Sequence, residues 1–170
     1  MIKAYIFDLV GTLGYHAGDL REVIGDLHKQ FLITPFDKIK LPEEQRKKIL
    51  EYNNQIEVHL YKDSKEVIKK LKKNYKLGLI SNLYDLTAIQ FEEKFRDFFI
   101  NFDVVVFSAY VGLKKPDPKI FLQTLEKLGV NPEEAIMIGD SPEKDVIAAQ
   151  QVGMNALLIN RKTQTLLEIL

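Results

Sequence analysis

The sequence predicts an α/β protein built on a five-stranded parallel sheet with helices on both faces. Three observations predict it. Five short runs rich in apolar and β-branched residues, at 4–7, 77–80, 103–107, 135–138 and 156–159, have the length and character of buried strands. From residue 63 onward they alternate with segments of helical spacing, which implies parallel neighbours joined by right-handed crossovers. Most of them also run out into residues that carry chemistry, at the carboxyl edge where open α/β sheets bind ligands.

The first run, Ala4-Tyr5-Ile6-Phe7, meets Asp8 and then breaks at Gly11-Thr12. A lone carboxylate at a buried strand end is costly unless it meets a cation or serves as a nucleophile; capping of the following turn is the other reading. Asp19 precedes Leu20, Val23, Ile24, Leu27 and Phe31, one helical face, which Thr34-Pro35 ends. Pro42-Glu43-Glu44 opens a further helix whose face carries Ile49, Asn53, Ile56 and Leu60. Residues from about 15 to 60 thus read as helical, with no strand signal. Phe31, Phe36, Tyr52 and Tyr61 in this stretch are expected in a core, with a dimer contact as the alternative. Asp63-Ser64-Lys65-Glu66 has the capping-box pattern and leads into Val67, Ile68 and Leu71. The second strand ends in Ser81-Asn82, and a helix carrying Leu86, Ile89, Phe95 and Phe98 follows. The β-branched run of the third strand leads to a proline-rich loop, Leu113 to Pro118, holding Lys114 and Lys115. Ile120, Phe121, Leu125 and Leu128 face one side of the next helix, which Gly129 stops. The fourth strand runs into Gly139-Asp140-Ser141-Pro142, with Asp145 close behind. A fifth strand and a short closing helix at 166–170 complete the chain.

Composition narrows the function classes. The 170 residues suit one core with a small insertion. Acids and bases balance at 24 each, so charge gives no argument for nucleic acid. Cysteine is absent, which rules out disulfides, thiolate metal sites and cysteine nucleophiles. No signal peptide is read at the N-terminus, and no apolar run approaches the roughly 20 residues of a membrane span. A soluble cytoplasmic protein, monomeric or homodimeric, is the expectation.

The strand-end residues gather carboxylates, hydroxyls and one lysine. Two acids on separate strands can share a hard divalent cation such as magnesium. A hydroxyl, an ammonium and backbone N–H groups near a carboxylate can hold a phosphoryl group. FDLVGTL around Asp8, LISN around Ser81, KKPDPKIF around Lys115 and IGDSPEKD around Asp140 and Asp145 occur in order. In motif order and spacing the chain resembles the haloacid dehalogenase-like hydrolases, in their phosphatase-like branch. The resemblance implies a Rossmann-like sheet of order 3-2-1-4-5, a core domain of residues 1–14 and 62–170, and a short helical cap at 15–61. It implies Asp8 as nucleophile and magnesium ligand, with the Val10 carbonyl and Asp140 as further ligands. It implies Thr12, Ser81, Asn82 and Lys115 at the phosphate, Lys115 also orienting Asp8, and Asp145 steadying Lys115 or a metal-bound water. The implied activity is Mg²⁺-dependent hydrolysis of a small phosphorylated molecule through an aspartyl-phosphate, with the cap reading the substrate.

One position departs from the family pattern. Phosphatases of the family carry a second aspartate two residues after the nucleophile, where this chain has Val10. Valine cannot move a proton, and a positioned general acid–base contributes typically about 10²–10⁴-fold. Slow turnover or good leaving groups would fit, with His16 or a cap side chain as a substitute acid. The alternatives are a 2-haloacid dehalogenase, whose halide leaves without a proton, and a catalytically impaired phosphate- or protein-binding module.

Overall fold

The computed structural model describes residues 1–170. Seven strands are present: β1 (Ala4–Phe7), β2 (Gly14–Ala17), β3 (Glu57–Leu60), β4 (Lys76–Ser81), β5 (Val104–Phe107), β6 (Ala135–Gly139) and β7 (Asn155–Leu158). Five of them form one sheet in the order β5-β4-β1-β6-β7, every neighbouring pair parallel. Numbered among themselves, these strands follow the expected order 3-2-1-4-5. The central strand β1 pairs Phe7 with Leu79 on one side and with Ile138 on the other.

Alternation along the strands explains the two cores. Phe7, Leu77, Leu79 and Ile138 point to one face, where Val67, Ile68, Phe91 and Phe98 cover them. Ile6, Ile80, Val106 and Met137 point to the other, under Ile120, Phe121 and Leu125. A sheet covered on both faces needs apolar residues at successive positions, which is why the runs read as continuous rather than alternating. No helix is long and apolar enough to cross a membrane.

The insertion after β1 differs from expectation. It is not wholly helical: β2 and β3 pair antiparallel, Gly14 with Leu60 through Ala17 with Glu57. Their pairing spans most of the insertion, so the pairing itself has no local signature. The expected helix over Leu20–Phe31 breaks into Arg21–Ile24 and His28–Phe31 around a tight turn at Gly25. The helix Glu43–Asn53 forms as read. Phe31 and Phe36 are buried with Leu20, Ile49 and Ile56 in a third cluster that includes Leu86, while Tyr52 packs against it. Leu86 belongs to the helix Asp85–Lys94, which leaves the carboxyl end of β4. Asp85 Oδ2 accepts from the Phe36 N–H at 2.8 Å, Gln90 donates to the Asn53 carbonyl at 2.7 Å, and Lys94 to that of Val58 at 2.8 Å. The insertion is therefore anchored beside Ser81-Asn82.

The expected capping box at Asp63 is also not what forms. The Asp63 carboxylate caps no N–H of the helix Ser64–Leu71. It accepts from both terminal nitrogens of Arg161, Nη1 to Oδ2 at 2.9 Å, and from the Leu166 N–H at 2.6 Å. The bidentate, charge-assisted contact with Arg161 takes the Asp63 carboxylate away from the helix N–H groups it would otherwise cap. Burial alone would raise this carboxyl, but Arg161 and Leu166 outweigh it and hold it below the ordinary range. Asp63→Asn is expected to cost about 3 kcal/mol in urea unfolding at pH 7, because Arg161 is left buried without its countercharge. A lowered folded pKa gives stability that is present above about 4 and lost as pH falls through the lower folded value. The wild-type advantage should accordingly shrink in acid below pH 4.

Candidate active site

Asp8 follows β1 directly, and its N–H donates to the Ile138 carbonyl at 2.9 Å, so the β1–β6 ladder carries it. Its side chain does not cap the turn; the Leu9 carbonyl takes the N–H groups of Thr12, Leu13 and Gly14 instead. Asp8 is 6% exposed and Lys115 3% exposed, which requires each to have a partner. Lys115 Nζ donates to Asp8 Oδ1 at 2.7 Å and to Asp145 Oδ1 at 2.5 Å. The other oxygen of Asp145 accepts from the Ser141 N–H at 3.0 Å. Lys115, not Lys114, is the buried lysine of the loop.

Asn82 explains how that loop is held. Its amide nitrogen donates to the Lys115 carbonyl at 2.8 Å, and its oxygen accepts from the Lys115 N–H at 2.8 Å. Both ends of the carboxamide are spent on the lysine's backbone. The resemblance implies the turn at Asn82 at the phosphate; the Asn82 side chain is bonded to the backbone of Lys115. Ser81, 1% exposed, ends β4 beside it.

Two glycines are required by the acids next to them. A Cβ on Gly11, whose φ is +88°, would lie 2.2 Å from Asp140 Oδ2. A Cβ on Gly139 would lie 2.3 Å from Asp145 Cγ. The missing side chains let both carboxylates close on Asp8, and carboxylate oxygens of Asp8, Asp140 and Asp145 lie within 4.8 Å of one another. Asp145 sits on a single π-helical turn, Pro142–Ile147, a local widening frequent at functional sites.

Three acids against one ammonium leave an excess of negative charge. Burial, with Asp145 and Asp140 adding and Lys115 opposing, pushes Asp8 up to about 6. Desolvation and the Asp145 carboxylate also raise Asp140. Burial would depress Lys115, but Asp8 and Asp145 prevail and hold it charged. A donor set made only of carboxylate oxygen suits a hard cation, which would relieve this repulsion. The Val10 carbonyl accepts none of the backbone hydrogen bonds, so it is free to serve as a further oxygen ligand. Thr12 Oγ1 is fully buried and has no hydrogen-bond partner, a polar group waiting for an acceptor or donor in the same turn. His16 is engaged elsewhere, its Nδ1 2.7 Å from the Gly18 carbonyl oxygen.

Comparison with known proteins gives a consistent picture. The sequence profile of haloacid dehalogenase-like hydrolases matches residues 5–159. The glyceraldehyde 3-phosphate phosphatase of Methanothermobacter thermautotrophicus is 39% identical over 89 residues, covering 52% of this chain and 38% of that protein. The chain therefore spans well under two thirds of that relative. A HAD phosphatase structure from Thermococcus onnurineus superposes with a TM-score of 0.66 at 28% identity, over 96% of this chain and 89% of that one. A HAD-family enzyme from Bacteroides thetaiotaomicron, in complex with magnesium and inorganic phosphate, gives a TM-score of 0.73 over 99% of both chains. At 18% identity that likeness is one of fold. Since the profile runs from β1 to the end of β7 and takes in every strand of the sheet, the chain belongs to the haloacid dehalogenase-like hydrolase family.

Proposed function

We propose that the chain is a Mg²⁺-dependent phosphatase of a small phosphorylated molecule, with Asp8 as nucleophile, residues 1–14 and 62–170 as its core and 15–61 as its cap. The observation that carries this reading is the ammonium of Lys115 held between Asp8 and Asp145 with Asp140 alongside. The phosphatase names of the relatives and the magnesium and phosphate bound by a structure of the same fold support it.

Asp8, Asp140 and the Val10 carbonyl would hold the cation, which when bound supplies charge neutralisation for the phosphoryl group. An Asp8 oxygen attacks phosphorus; the new O–P bond forms as the bond to the leaving oxygen breaks, and the leaving group departs with the electron pair. Water then attacks phosphorus, the bond from phosphorus to the Asp8 oxygen breaks with its electron pair to Asp8, and the proton of the water passes to the solvent. Lys115 offsets the negative charge of the phosphoryl oxygens and keeps Asp8 oriented. Thr12 Oγ1 and Ser81 offer hydroxyls to those oxygens, and Asp145 keeps Lys115 in place. Val10 gives the leaving oxygen no proton, so leaving groups that depart as stable anions are favoured.

Purified protein offered acetyl phosphate and 4-nitrophenyl phosphate should release phosphate with magnesium and not with EDTA. Val10→Asp should raise hydrolysis of an alkyl phosphate such as glycerol phosphate about ten-fold or more. Halide release from 2-chloropropionate without metal would replace this reading with a dehalogenase. Thermal stabilisation by phosphate with no turnover of any substrate would replace it with a binding module.

A further inference from the structure

A groove of about 530 Å³ lies between the β2–β3 hairpin and the segment that follows β7. Tyr15, Leu60 and Tyr61 form its apolar wall, and Lys62, Arg161 and Gln164 its polar rim. Nothing in the mechanism above uses it. Its volume is that of a small-molecule site.

The wall is built rather than incidental. Tyr15 pairs across the hairpin with His59, the rings stacked at 5.0 Å and 18°. Tyr61 lies 5.2 Å from Tyr15 with 47° between their planes, so the two rings pack together into one apolar surface. The Arg161 guanidinium covers Tyr61 at 4.2 Å. That guanidinium is fixed in place by Asp63, so it acts as a rigid backing. Its Nε is buried and has no acceptor. Tyr15 is 42% exposed although aromatic, whereas Phe31 and Phe36 of the same insertion are buried.

The groove also adjoins the acids. Tyr15 stands three residues after Thr12, in a segment pinned by the Gly11 N–H to the Gly14 carbonyl at 2.8 Å. The Tyr61 N–H donates to the Leu13 carbonyl at 3.1 Å. Two residues before Arg161, the Ile159 N–H donates to the carbonyl of Gly139, the residue before Asp140, at 3.0 Å. Burial raises the Tyr61 hydroxyl's pKa, with the Arg161 guanidinium opposing and the Asp140 carboxylate adding a smaller push.

We propose that this groove seats the leaving group of the substrate and that the leaving group is an aryl ring, so that the chain acts on small aryl phosphomonoesters. The proposal rests on the phosphatase reading and names its substrate class. An apolar wall made by Tyr15, Tyr61 and Leu60 fits a flat ring laid against it through offset or edge contacts. Lys62, which enters no ion pair, and Gln164 can meet polar substituents at its rim. Chemistry points the same way. Asp8 and Asp145 hold Lys115 as a cation, and Val10 has no proton to give. A phenol ionises near pH 10, as tyrosine does, against about 15.7 for water. An aryl oxide therefore leaves with the electron pair of the broken P–O bond and takes its proton later from water.

The test compares kcat/KM for 1-naphthyl phosphate with that for acetyl phosphate, in magnesium, for the wild type, Tyr15→Ala and Tyr15→Phe. The naphthyl-to-acetyl ratio should fall at least five-fold in Tyr15→Ala, through KM, and recover in Tyr15→Phe, which keeps the ring. Tyr15 is half-exposed, so the alanine variant should fold; an unchanged Tm checks this. Magnesium-dependent turnover with the same ratio in all three proteins overturns the groove assignment and leaves the phosphatase reading standing. If neither substrate turns over, NMR titration with 1-naphthyl phosphate decides: shifts at Tyr15, Tyr61 and Gln164 support the groove without the reading, and their absence removes both.

Discussion

Replacing Asp8 by asparagine is expected to abolish magnesium-dependent phosphate release, by about 10³-fold or more, while leaving the metal-free protein at least as stable as the wild type at pH 8. The two halves come from one geometry. Asparagine offers no oxygen anion to phosphorus, and loss of a covalent nucleophile is among the largest effects a single substitution has on turnover. Stability runs the other way because the carboxylate is expensive where it sits. Its folded pKa of about 6 lies above the ordinary 3.8. A raised carboxyl pKa gives stability that is fully present below the unfolded value and lost as pH rises through the folded one. Above pH 6 the wild type thus carries a penalty on the order of 3 kcal/mol that the neutral amide lacks. The charged hydrogen bond from Lys115 is weakened in the variant, but Lys115 keeps Asp145. In EDTA, Tm of the wild type should fall between pH 5 and pH 8 more steeply than that of Asp8→Asn. Parallel pH profiles would show that Asp8 is not strained by its neighbours; retained turnover would remove it as nucleophile.

How far such a site can be read from residues alone depends on whether its parts announce themselves locally. Asp8, Ser81 and Asp140 each end or follow an apolar run, so strand periodicity and one polar residue place them at the sheet edge. Lys115 could be located to its proline-rich loop, but the choice over Lys114 was settled by burial. What holds Lys115 was not legible. Asn82 lies 33 residues before it, and a side chain bridging two loops leaves no periodic trace. The β2–β3 hairpin was hidden for a similar reason, although Glu57-Val58-His59-Leu60 alternates, with Val58 buried. Read with β-spacing instead of as the tail of a helix, it would have been found. Arg161 was not singled out at all: nothing near it in the chain hints at Asp63 or Tyr61, its two partners. Chemistry carried on strand ends was visible; chemistry assembled from distant loops was not.

Lys115 provides the second large effect. Lys115→Met keeps most of the side chain's length and apolar stem while deleting the ammonium. Asp8 and Asp145, both nearly fully buried, then face each other and Asp140 without a countercharge. Removing one partner of a buried ion pair typically costs about 3–5 kcal/mol. Here two carboxylates lose the same partner, so the upper part of that range is expected in urea unfolding at pH 8 with EDTA. Asp8 already sits at about 6 with Lys115 opposing the rise, so its pKa climbs further in the variant. By the same linkage, stability returns as the solution is acidified through that raised value. The variant should therefore recover much of the loss at pH 5, where the wild type gains less. Magnesium should also restore part of it at pH 8 if Asp8 and Asp140 hold the cation, because the ion supplies charge where the ammonium was. Phosphate release should still be about 10²–10³-fold below wild type, since neither acid nor magnesium returns a donor to the phosphoryl oxygens. A variant equally stable at pH 5 and pH 8 would mean that the cluster sheds its charge by some route other than protonation of Asp8. The lysine would then be a structural strut rather than the electrostatic centre on which the phosphatase reading is built.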